Sequence, residues 1–122
     1  MHKIIKHISE NKFFLIALTF SFIVMVMSLM PLPDLEKNLQ RQDKLVHLFL
    51  FFGLFILWVK AFPSKKGMVL LLLFFYGIAL EILQATLPVN RSFDKFDIIA
   101  NTLGLITGWL IMILYDFFRK LF

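Results

Sequence analysis

Four long apolar runs, each about as long as a bilayer's hydrocarbon core is thick, leave this chain few ways to fold. They lie near residues 13–30, 45–62, 68–87 and 98–118, and a membrane-spanning helix needs about 17–25 residues. In lipid, every backbone N–H and C=O must be bonded within the segment, so helix is the form such runs take. Hydrophobic side chains are 60% of the 122 residues, against about 45–50% in soluble domains even with glycine counted. Their concentration into runs argues against a water-soluble core. Pro31, Pro33, Pro63 and Pro88 fall just outside the runs, where a missing N–H does no harm. The links are short, about fourteen, five and ten residues, and short links join antiparallel neighbours. The expected fold is an all-α integral membrane protein, a four-transmembrane-helix up-down bundle forming one domain over 1–122.

Composition narrows the function. There is no cysteine, which removes disulfides, thiolate catalysis and cysteine-ligated metal centres. The net charge of +5 does not point to nucleic acid, because the basic residues are scattered through short links and form no stripe interleaved with aromatics. They read as topology signals. The N-terminal stretch, the turn with Lys60, Lys65 and Lys66, and the C-terminus hold eight lysines and arginines, and the opposite side holds five. The positive-inside rule then places both termini in the cytoplasm of a bacterial inner membrane. The first run is expected to be retained, since Ser28-Leu29-Met30-Pro31 is a poor cleavage site for a signal peptidase. Ile4, Ile5 and Ile8 between lysines fit a short interfacial helix over 1–12.

Against this frame a set of polar residues stands out: Asp43, Lys44, His47, Glu81, Gln84, Arg91, Asp94, Asp97 and Asn101. All fall toward the same membrane face, the outer one by the charge count, where runs two, three and four meet. Glu81 lies roughly 10 Å below Pro88 at 1.5 Å rise per residue. An ionised side chain at such depth costs roughly 2.5–3.5 kcal/mol unless paired or functional. Helical spacing groups the residues into stripes: Asp43 with His47, Gly77 with Glu81 and Gln84, and Asp97 with Asn101, continued by Gly104 and Gly108. The G-x-x-x-G of Gly104 and Gly108 lets backbones approach closely, either within the bundle or in a homodimer. Run four is expected to turn its small and polar stripe inward, leaving bulky Phe and Leu faces to lipid.

Each residue also has a bland reading. His47 alone would more often be a satisfied interfacial histidine, and Arg91 to Asp97 alone a solvated loop. Glu81 is harder to dismiss, because Gln84 one turn on gives it a polar neighbour on the same face. It is either a buried lock tied to Lys44 or Arg91, or a proton acceptor with His47 as partner. Lys44 and Asp43 join the candidate ligand-binding set with Gln84, Arg91, Asp94, Asp97 and Asn101. Arg91 suits a phosphate or carboxylate. Asp94 and Asp97 either position Arg91 or coordinate a divalent cation, and one histidine with carboxylates does not choose among Mg, Mn and Zn.

Together these residues resemble the VanZ-like family of small bacterial membrane proteins. The match is Asp43-Lys44-x-x-His47, then Glu81-x-x-Gln84, then Arg91-x-x-Asp94-x-x-Asp97-x-x-x-Asn101-x-x-Gly104, over about half of the chain. The turn Pro88-Val89-Asn90-Arg91 is one residue longer than the Pro-Gly-Arg of many relatives. The resemblance implies a link to low-level resistance to the glycopeptide teicoplanin, and so to envelope molecules. Some relatives carry phosphotransbutyrylase names, for which this chain offers no coenzyme A cradle. The reading that follows is an outward-facing polar site that binds or modifies an envelope lipid or lipid-linked wall precursor. The alternative is a non-enzymatic accessory protein whose cluster locks helices. A proton-coupled carrier ranks third, because no run is broken at mid-membrane.

Overall fold

The computed structural model describes residues 12–29, 37–87 and 95–121, with backbone alone over 37–43. The described residues form four long helices, α1 (Lys12–Leu29), α2 (Lys37–Ala61), α3 (Lys66–Thr86) and α4 (Lys95–Leu121). A 3-10 turn at Pro63–Lys65 joins α2 to α3. All four helices are long and apolar enough to cross a membrane, so the chain is a multi-pass membrane protein. Residues 1–11, where an interfacial helix is expected, lie outside the described residues.

Side-chain contacts fix the helix directions. Phe14 at the start of α1 meets Phe62 just beyond the end of α2, so these two helices run antiparallel. Lys66 at the start of α3 pairs with Asp116 near the end of α4, so these are antiparallel as well. Lys44 and Asp97, near the starts of the apolar part of α2 and of α4, pair with each other. Gln84 near the end of α3 reaches Ser28 near the end of α1. The topology is therefore up-down-up-down.

Two helices extend past the apolar runs that mark them. The membrane-crossing part of α2 begins at Lys44, yet the helix begins at Lys37. Hydropathy marks where a chain meets lipid. Helix stops only where a Pro, Gly or cap stops it, and residues 37–44 contain no Pro or Gly. Likewise α4 runs on to Leu121, with Arg119 and Lys120 in its last turn, where basic residues suit the negative end of the helix dipole.

α2 touches all three other helices, and α1 and α4 flank it without meeting among the described residues. Central position explains one departure from expectation. Phe51 and Phe55 are fully buried with Leu54 and Val59, so these rings build the core and do not face lipid. The lipid-facing bulk comes instead from residues such as Phe22, Phe49, Phe75, Leu110 and Phe117. α4 does turn its small stripe inward: Ala100, Gly104 and Gly108 are buried. A Cβ at Gly104 would stand 2.2 Å from the Leu48 carbonyl oxygen, and one at Gly108 2.8 Å from the Phe55 ring. The G-x-x-x-G face is thus filled by α2 of the same chain, which leaves it no free surface for a homodimer.

Candidate functional site

The end of the bundle where α2 and α4 begin and α1 and α3 end collects the polar residues. Asp97 lies in the first turn of α4, where unsatisfied backbone N–H groups favour an anion. It is buried, and its Oδ1 accepts from the Lys44 ammonium at 2.5 Å. The lysine side chain keeps about a third of its surface exposed, so the pair joins a dry carboxylate to a cation that reaches the membrane face. One turn further along each helix, His47 Nδ1 and Asn101 Oδ1 are 3.0 Å apart. With the asparagine oxygen accepting, the proton lies on Nδ1, and Nε2 faces Asp97 Oδ2 at 3.9 Å. The imidazole is thereby oriented by Asn101, with the Asp97 carboxylate near its other nitrogen but beyond hydrogen-bond distance.

α3 completes the site with the stripe Gly77, Glu81 and Gln84, all buried. Gly77 makes room for the network: a Cβ there would come within 3.0 Å of Asn101 Nδ2 and 3.3 Å of the Phe51 ring. Phe51, one turn below His47, closes the site toward the core. Glu81 has 0% and Gln84 1% of its surface exposed, which is unusual for these residue types. Gln84 Nε2 donates to the Ser28 carbonyl oxygen at 2.5 Å. Ser28 is in the last turn of α1, where carbonyls lack an intrahelical donor, so Gln84 caps a neighbouring helix. Its own Oε1 is buried with no hydrogen-bond partner among the described residues.

Six of the sequence-derived candidates, Lys44, His47, Glu81, Gln84, Asp97 and Asn101, gather at this one end of the bundle on α2, α3 and α4. The Asp43 side chain, Arg91 and Asp94 lie outside the described residues. The contribution of α1 went unread in the sequence. Ser28 enters through its backbone carbonyl, and a helix-end carbonyl leaves no mark in residue type. Among the described residues no group of three or more His, Asp or Glu is placed to hold a metal ion. The Lys44 ammonium already occupies Oδ1 of Asp97. The site offers three chemical functions: a cation at its mouth, an imidazole in contact with an amide and near a carboxylate, and a buried amide oxygen without a donor among the described residues.

A family model described as VanZ/LLP1 matches residues 3–118. A protein of Schizosaccharomyces pombe described as uncharacterized is 38% identical over 78 residues, covering 60% of this chain and 48% of the relative. The chain thus spans about half of that relative's length. No solved structure matches it.

Proposed function

The chain belongs to the VanZ/LLP1 family, and from that premise we propose that its polar end binds the headgroup of an amphipathic membrane molecule. The observation that carries this reading is the buried amide oxygen of Gln84. A bundle locked only for stability satisfies its buried polar atoms, because an unmet acceptor costs about 1–3 kcal/mol. An acceptor kept dry and unbonded beside a fully buried glutamate suits a ligand hydroxyl or amine. Lys44, with Arg91 from the neighbouring link, supplies the charge for a phosphate or carboxylate. Asp43 and Asp94 belong to the same proposed binding set.

The ligand is an envelope lipid or a lipid-linked wall precursor in the outer leaflet of a bacterial inner membrane. The relative in Schizosaccharomyces pombe favours the lipid, a class shared by all membranes. Glu81 with His47 is the pair that a proton transfer at the bound molecule would use. Where the lipid is a cell-wall intermediate, the consequence is a changed response to teicoplanin-type glycopeptides.

A second reading has its own support. Lys44–Asp97 and His47–Asn101 are bonded directly to each other, as an accessory protein with a helix-locking network requires. Mass spectrometry and elemental analysis of gently purified wild type and Glu81→Gln separate the two. A bound molecule lost in a variant that unfolds at the wild-type temperature supports the ligand site. Activity and unfolding temperature that fall together, with no bound molecule in the wild type, support the lock.

A further inference from the structure

The half of the bundle remote from the polar site contains a cavity of about 450 Å³ between α1, α2 and α3, within the roughly 300–1,000 Å³ range of small-molecule pockets. Its wall includes Trp58, Phe62, Met68, Leu72 and Tyr76, and Lys65 of the 3-10 turn stands at one end. The polar atoms along this wall are consumed locally. Trp58 Nε1 donates to Ser21 Oγ at 2.9 Å, Ser21 Oγ donates to the Ala17 carbonyl oxygen at 2.8 Å, and the Tyr76 hydroxyl donates to the Ser21 carbonyl oxygen at 2.5 Å. What remains toward the cavity is hydrocarbon and ring. The aromatic side is braced: Trp58 and Phe62 stack with planes 9° apart, and Phe14 meets both edge-on. Met68 and Leu72 are exposed, so the groove opens sideways on the lipid-facing surface.

Lys65 supplies what a bare groove lacks. Lys66 beside it is paired with Asp116, and the Lys60 ammonium lies over the Phe13 ring. Lys65 is exposed, and no described residue holds its ammonium. A dry slot with one available cation at its end complements a hydrocarbon chain carrying an anionic head. An adjoining cavity bordered by Leu18, Phe22 and Met25 has no basic residue in its lining, so of these two the charge argument selects the first.

We propose that this groove holds an acyl chain of an anionic glycerophospholipid from the leaflet at the basic end, with its phosphate on Lys65. The site is separate from the polar end and does not depend on the function proposed there. The test titrates full-length protein in detergent with dioleoyl phosphatidylglycerol or dioleoyl phosphatidylcholine and counts bound lipid by native mass spectrometry. Wild type is expected to hold phosphatidylglycerol roughly fivefold more tightly, the effect of about one lysine at an anionic surface. Lys65→Gln, at an exposed turn, removes that preference. Leu72→Trp, on the exposed rim, lowers binding of both lipids while leaving the helical circular dichroism unchanged. Equal affinity of wild type for the two lipids overturns the proposal. So does a preference that survives Lys65→Gln, undiminished binding in Leu72→Trp, or a preference abolished by Glu81→Gln but kept in Lys65→Gln.

Discussion

Lys44 and Asp97 face each other across 2.5 Å, but they are not equally placed to lose a partner. The Lys44 side chain retains 32% of its exposure and the Asp97 side chain 3%. Without Asp97 the ammonium can swing to the interface and hydrate. Without Lys44 the carboxylate stays dry, and among the described residues only His47 Nε2, at 3.9 Å, remains near it. Lys44→Met is therefore expected to destabilise by roughly 3–5 kcal/mol, as when a buried pair loses one partner. Asp97→Asn is expected to cost about 1–3 kcal/mol, nearer to a lost hydrogen bond. Unfolding of each purified variant in detergent measures the order, and equal losses or the reverse order contradict this account. At this scale the sequence was informative where chemistry is carried by side-chain type and spacing. The four-residue step that places Asn101 over Asp97 foretold that buried stripe, and Glu81 announced itself by depth. It was silent where backbone does the bonding: nothing in Ser28 marks its carbonyl as the acceptor for Gln84.

Helix packing is set by how closely backbones approach, and the glycines report it with different strengths. At Gly104 an added methyl would lie 2.2 Å from a carbonyl oxygen of α2, a rigid backbone atom. At Gly108 the obstacle is the Phe55 ring at 2.8 Å, and at Gly53 the nearest atom is on Phe20 at an ordinary 3.4 Å. Gly104→Ala must push α2 and α4 apart and disturb the Lys44–Asp97 and His47–Asn101 pairs with them. Its expected cost is about 3 kcal/mol or more, at the upper end for overpacking. Gly108→Ala should cost less, because the obstacle is a side chain, which can shift where a helix backbone cannot, although the buried Phe55 ring must move to admit it. Gly53→Ala should be neutral or stabilising by up to about 1 kcal/mol through helix propensity. Unfolding measurements on the three variants test the order, and a tolerated Gly104→Ala would mean that α2 and α4 pack differently. G-x-x-x-G in the sequence predicted a close contact but left its partner open. Only the fold decides between a neighbour in the same chain and a second copy, because both satisfy the same small-residue pattern. The burial of Phe51 and Phe55 was hidden for a related reason. A helix surrounded by lipid and one surrounded by other helices are equally apolar all round.

For the whole molecule, helix directions place Lys44, His47, Glu81, Gln84, Asp97 and Asn101 at one end, and Lys60, Lys65, Lys66, Arg119 and Lys120 at the other. This polarity was readable from four runs, short links and a lysine count, because bilayer thickness and backbone bonding allow a span little else. Which end faces the cytoplasm is carried by the distribution of Lys and Arg over the links, a bias that acts during insertion and leaves no trace in packing. The absence of cysteine from the chain makes that question directly measurable. Ser64, in the exposed 3-10 turn, and Leu87, just past α3, lie beyond opposite ends of the same helix. In intact cells a membrane-impermeant thiol reagent is expected to label Leu87→Cys and to spare Ser64→Cys until the membrane is opened. The reverse pattern would put the polar site on the cytoplasmic side, where an envelope ligand of the outer leaflet could not reach it. A second measurement joins orientation to function. Expression of the wild type in a glycopeptide-sensitive bacterium should raise the inhibitory concentration of teicoplanin. Glu81→Gln, at equal membrane abundance, should not. If the two proteins protect equally, the buried glutamate has no part in the response, and the proposed link between the polar end and the envelope is severed.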